Sequence, residues 1–270
     1  MKWKIMMFVT VMAGCSSLLQ AGGVFEMSAK KADGTAAVVE KIYAQDGNLR
    51  VDDIEPSGEM NRSVIFQSNQ VILINHAEKK FSRIDEATLA KMSEQMQKAS
   101  AAMEQMKQQL ASMPPQQREM MEKMMKGRMG NMPGMGDAAP AVRVEADGTG
   151  TWKTSTCKQF ALYVGDVKTR ELCTVPPGQI EGSEELLAAA ESMKAFFEKF
   201  KNAMHMPELE KMMQNPVEMM NKTEGFPVVT QEFVGGKLKE ERFLSSAKKE
   251  GVSASQFSTP TGYKEEKLMR

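Results

Sequence analysis

Between Val24 and Ile84 the chain divides into short runs of β-forming residues separated by turn signals, and this constrains its fold more than any other feature. Val24 to Ala29 alternates, and Thr35 to Ala44 is rich in β-formers. Asp46-Gly47 turns the chain into Leu49 to Asp53. Ser63 to Gln67 and Gln70 to Asn75 meet at Ser68-Asn69, and Lys80 to Ile84 follows. Val64-Ile65-Phe66 and Val71-Ile72-Leu73-Ile74 are apolar at consecutive positions, whereas Leu49 and Val51 alternate with Arg50 and Asp52. The central strands are therefore predicted to be covered on both faces, and elements other than the sheet must do the covering.

Helices are predicted to supply that cover. Asp85 is a plausible N-cap, and Leu89, Met92, Met96, Ala99, Met103, Met106, Leu110 and Met113 recur at alternating spacings of 3 and 4. Pro114-Pro115 interrupt the helix and allow a restart carrying Met120, Met121, Met124, Met125 and Met129. A helical hairpin over 86–129 is the expectation, with a Gly, Pro and Met-rich connection after it. A second insertion over 183–220 starts at Ser183 and carries Leu186, Ala190, Met193, Phe197, Phe200 and Met204 on one face.

Strands resume at Ala141 to Glu145, Thr151 to Val164 and Lys168 to Val175, and the chain closes with a hairpin around Gly235-Gly236 and a polar tail. About eleven strands result, with helical insertions after the sixth and the ninth. Cys157 and Cys173 flank Gly165-Asp166, a hairpin signal that sets them opposite each other and predicts a disulfide.

Residues 1–21 read as an export signal. Two lysines precede an apolar stretch from Ile5 to Ala13, too short to span a bilayer. Two cleavage sites compete. Met12-Ala13-Gly14-Cys15-Ser16-Ser17 resembles a lipobox in which Cys15 is acylated and anchors the protein to a membrane, and cleavage after Ala21 would discard Cys15. Either way the remainder, 22–270, is expected to be one domain in the periplasm or envelope, where paired thiols are the default.

With 35 Lys+Arg against 35 Asp+Glu, the chain has no basic field on which nucleic-acid phosphates could be bound. No nucleophile elbow, zinc-protease helix or phosphate loop occurs, and the chain's 2 histidines complete no Ser/His/Asp or Cys/His set. Asp52-Asp53, Glu184-Glu185 and Glu240-Glu241 read as solvated faces and helix-start charges. His76 reads as a solvated loop residue. The protein is expected to be no enzyme and to need no cofactor.

Gln116 to Met129, Gly225-Phe226-Pro227-Val228 and the ending Phe257 to Tyr263 resemble an exported bacterial family known only as a domain of unknown function. The order of strands and helices is similar to the lipoprotein-carrier superfamily of LolA, LolB and RseB. That resemblance implies an α+β fold: a curved, open antiparallel half-barrel with the Met-rich helices as a lid in its mouth. It also implies an apolar partner: a hydrophobic small molecule, a lipid, or a lipoprotein or peptide segment.

Methionine bears on this directly. Of 26, nineteen fall between Met92 and Met135 or between Met193 and Met220, on the helical insertions and the connection that follows the first. The simplest account is packing, since unbranched Met fills irregular gaps. The same property lets a surface repack around varied apolar guests. Candidate lining residues for such a guest are Met92, Met96, Met103, Met106, Met120, Met124, Phe197 and Phe200. Met204, His205 and Met206 offer soft ligands for Cu(I) as an alternative. A structural envelope lipoprotein without a small ligand is the third expectation.

Overall fold

Twelve strands hydrogen-bond into a single sheet in the order β12-β6-β5-β4-β3-β2-β1-β11-β10-β9-β8-β7 in a computed structural model, which describes residues 21–30, 34–112, 114, 117, 142–204 and 222–268. The first six strands are β1 (Gly22–Lys30), β2 (Ala36–Gln45), β3 (Asn48–Ile54), β4 (Met60–Gln67), β5 (Gln70–Asn75) and β6 (Lys80–Ile84). Helix α1 (Glu86–Ser112) follows, then β7 (Val142–Trp152), β8 (Ser155–Val164) and β9 (Val167–Val175). Helix α2 (Ser183–Met204) precedes β10 (Phe226–Val234), β11 (Lys237–Glu250) and the short β12 (Lys264–Glu265).

Neighbours pair antiparallel except β12, which runs parallel to β6. β1 pairs with both β2 and β11 and so joins two antiparallel meanders into one open α+β sheet. The predicted insertion points hold, with α1 after the sixth strand and α2 after the ninth. The export signal with Cys15, and the second arm of the predicted hairpin with Met120 and Met124, lie outside the described residues.

Local signals explain where elements begin. Asp85 caps α1, its Oδ1 accepting from the Thr88 amide at 2.8 Å, and that bond holds its carboxyl below the usual range. Ser183, at the start of α2, donates its hydroxyl to the Pro177 carbonyl at 2.6 Å and so ties the helix to the preceding turn. A Cβ on Gly225 would lie 2.5 Å from the Val175 carbonyl oxygen, so β10 can approach β9 there only with glycine. Pro227 is accommodated at the adjoining bulge, where a ladder donor is not needed.

The central core joins the meanders. Phe25, Val175, Ile180, Val228 and Leu244 are buried together, Leu186 packs on them, and the Trp152 indole donates to the Leu244 carbonyl at 3.2 Å. Cys157 and Cys173 are bonded, with Cα atoms 5.5 Å apart. Gly165-Asp166 is the connecting turn, as predicted, but a register shift at Leu162/Tyr163 places Gln159 opposite Cys173. The cysteines are therefore diagonal neighbours, a separation a disulfide still spans.

Candidate functional site

Apart from a shift at Asp53/Ile54, strands β2 to β6 pair in regular register, so their two faces can be followed residue by residue. One face carries Arg50, Asp52, Ser63, Ile65, Ile72, Ile74 and Phe81. The other carries three successive cross-strand rows: Leu49, Phe66, Val71, Ile84; then Val51, Val64, Leu73, Ser82; then Asp53, Arg62, Asn75, Lys80.

The first face is closed by the segment after β11. Val252 and Phe257 pack on Ile65, Ile72, Ile74 and Phe81, and Tyr263 joins their edge. What reads in sequence as a polar tail is thus a strap that completes a core, and it supplies the twelfth strand at the margin of β6.

Under the strap lies a polar network. Arg50 Nε donates to Asp52 Oδ1 at 2.6 Å, and Arg50 Nη1 donates to the Gln256 carbonyl at 2.8 Å, tying the strap to the sheet. The Ser63 hydroxyl gives its proton to Asp52 Oδ1 at 2.5 Å and lies 2.7 Å from His76 Nε2. With that proton committed, His76 Nε2 must be the donor to Ser63, so the neutral ring accepts the Tyr263 hydroxyl proton at Nδ1, 3.0 Å away. His76 is therefore a half-buried network member and not a solvated loop residue. The chain of donors runs Tyr263, His76, Ser63, Asp52. This is the wrong direction for nucleophilic catalysis, which needs histidine to accept the serine proton.

Burial first, and the Arg50 charge second, hold the His76 pKa below its ordinary value. The unfolded chain takes up this proton at ~6.5, while the folded ring resists it. Between the two values the unfolded state binds more protons, so stability is complete above the unfolded value and falls as the pH drops through it toward the folded one. The melting temperature is expected to fall between about pH 7.5 and about pH 5, and to fall less in His76→Asn. Equal pH slopes in the two proteins would show that His76 does not carry the effect.

The second face is only partly closed. Leu89 of α1 and Phe196 of α2 are buried against Phe66 of the first row, with Leu49, Val71, Ile84, Met92, Met193, Phe200 and Ala203 around them. The second row lies beyond this cover: Val64 is 41% exposed and Leu73 36%. The third row bounds it with charge, continued on β2 by Glu40, whose carboxyl is raised by burial against the lowering effect of Arg242. Covered apolar, open apolar and charged strips thus lie side by side.

The sequence-named residues divide across this geometry. Met92 and Phe200 lie in the cluster under the helices, and Met96 is half-buried. Met106 is 43% exposed, so the α1 stripe leaves the core as it runs on. Phe197 is an edge neighbour of Phe196, ring centroids 6.2 Å apart, and Phe196 is the buried residue. Two stripes pass through Leu186, Met193 and Phe200: one adds Ala190 and Phe197, the other Ala189 and Phe196. The sheet selects the second. The side chains of Met103 and Met204, and His205, Met206, Met120 and Met124 entirely, lie outside the described residues.

Among the described residues no group of three His, Cys, Asp or Glu could hold a metal, and no helix is long and apolar enough to cross a membrane.

The geometry defines an α+β protein with a half-covered apolar sheet face. Its sequence matches no protein-family profile and no curated protein. Among solved structures it is similar to an uncharacterized conserved protein from Thermus thermophilus, at 9% identity and a TM-score of 0.43, over 92% of this chain and 91% of that one.

Proposed function

We propose that the protein is a non-catalytic envelope protein that binds a hydrophobic ligand, a lipid, acyl chain or lipoprotein segment, on the open strip of Val51, Val64 and Leu73 beside α1. The observation that carries this reading is the exposure of Val64 and Leu73 between a covered apolar row and a charged one. Apolar residues on interior strands of a sheet, next to two helices that could have covered them, form a surface suited to a removable guest. The charged row suits the polar end of an amphiphile, and the unbranched α1 methionines Met92 and Met96 suit guests of varied shape. In this reading the sheet curves as a half-barrel around the ligand and the protein acts after export.

Burying an acyl chain supplies about 25 cal/mol per Å² of apolar surface, which over a few hundred Å² sustains micromolar binding after association costs. Native mass spectrometry of protein purified from membranes is expected to show co-purifying lipid, and a fluorescent fatty acid is expected to be taken up. Leu73→Lys should weaken that uptake about tenfold, because it places a charge on the strip. Val234→Lys, at an exposed β10 terminus away from the strip, should leave it unchanged. A clean apo mass together with no uptake would refute the proposal.

A further inference from the structure

The two margins of the sheet are built differently. On one side β12, only 2 residues long, runs along Lys80 and Phe81 of β6. On the other, β7 has 11 residues and no strand on its outer side among the described residues. A long open margin presents a row of N–H and C=O groups that a further strand can satisfy.

A register shift between Ala146 and Thr149, with Gly148 at φ 93°, interrupts β7 and leaves Val142–Ala146 as its regular stretch. Val142 and Val144 are half-buried, and Val144 packs on Phe160, Leu162 and Leu172. Arg143 and Glu145 project from the opposite face and are exposed. An antiparallel copy of this stretch can be set against it by a two-fold axis perpendicular to the sheet. Such an axis keeps each residue on its own face, so it must pass beside a residue and not between two.

Centring on Arg143 or on Glu145 sets like charges directly opposite each other, which is destabilising. Centring on Val144, the midpoint of the regular stretch, sets Val144 against its own copy, Val142 against Ala146, and Arg143 against Glu145 twice. Arg143 and Glu145 already meet within the chain at 2.8 Å, both about half exposed, so they can re-pair across the axis without desolvating a buried charge.

We propose that two copies of this chain associate through β7, antiparallel and centred on Val144, extending the two sheets into one. The proposal is independent of the ligand strip. With five residue pairs the interface is small, so the dimer is weak and concentration-dependent.

Sedimentation equilibrium of the purified protein tests it. The average mass is expected to rise from monomer toward dimer at high micromolar concentration. Arg143→Glu and Glu145→Arg should each weaken association about tenfold or more, since each turns two attractive pairs repulsive. The double exchange, Arg143→Glu with Glu145→Arg, should restore it. All three variants lie on an exposed face and are checked for folding by circular dichroism. A monomer up to about 1 mM, a dimer indifferent to the single reversals, or a double exchange that fails to restore association would each overturn the proposal.

Discussion

Replacing Asp52 by alanine is expected to destabilise the protein by about 3–5 kcal/mol, because it strips the carboxylate from a buried guanidinium. Asp52 is 3% exposed and Arg50 is 5% exposed, and their bond is 2.6 Å long. After the substitution Arg50 would retain the Gln256 carbonyl, the Ser63 hydroxyl at 3.3 Å and the Met60 sulfur at 3.4 Å, none of which is charged. Ser63 would lose the acceptor of its proton as well. Asp53→Ala, one residue on but on the exposed row, should stay within about 0.5 kcal/mol. Removing both charges, Arg50→Met with Asp52→Leu, should recover much of the loss, since the cost lies in the orphaned charge and not in the absence of the pair. Urea denaturation of the four proteins separates these cases. An Asp52→Ala protein as stable as the parent would show that the network contributes nothing to holding the strap.

Phe196→Ala is expected to cost about 3–5 kcal/mol, and Phe197→Ala about 1 kcal/mol or less. Phe196 is 2% exposed, its ring 6.0 Å from that of Phe66 and 6.4 Å from that of Phe200, so truncation opens a void between α2 and the sheet. Phe197 reaches only the edge of that cluster. Thermal melts of the two variants check the order. If Phe197→Ala were the more damaging, the helix would present to the sheet the other of the two stripes its sequence carries.

These contrasts show where sequence reading stops. Periodicity together with cap and turn residues located the strands β1 to β6, the Asp85 cap, the Gly165-Asp166 turn and the two helical insertions, because each depends on neighbours within a few residues. The choice between Phe196 and Phe197 was not legible, since both lie at helical spacing from Leu186 and only the position of Phe66 distinguishes them. The alternation in β3 was legible but its sense was not. Leu49 and Val51 alternate with Arg50 and Asp52, and the pattern fits apolar side chains inward. In the fold the charged pair is the more deeply buried, because Ser63, His76 and Gln256 bring hydrogen-bond partners from β4, the β5–β6 turn and the strap. His76 had no local signal at all: its partners lie 13 and 187 residues away in the chain.

The sequence by itself determined the local structure: short strands, turn chemistry, two insertions, and the confinement of most methionines to them. Each follows from backbone preference and side-chain period, which act over a few residues. The tertiary structure alone decided which faces close. The strap seals one side of β3 to β6 because Val252 and Phe257 cross from β11 to reach it, while α1 and α2 stop one row short on the other and leave Val64 and Leu73 open. Burial is a property of what arrives from elsewhere in the chain. An apolar residue in a strand specifies that it can be covered, and only the path of distant segments specifies whether it is.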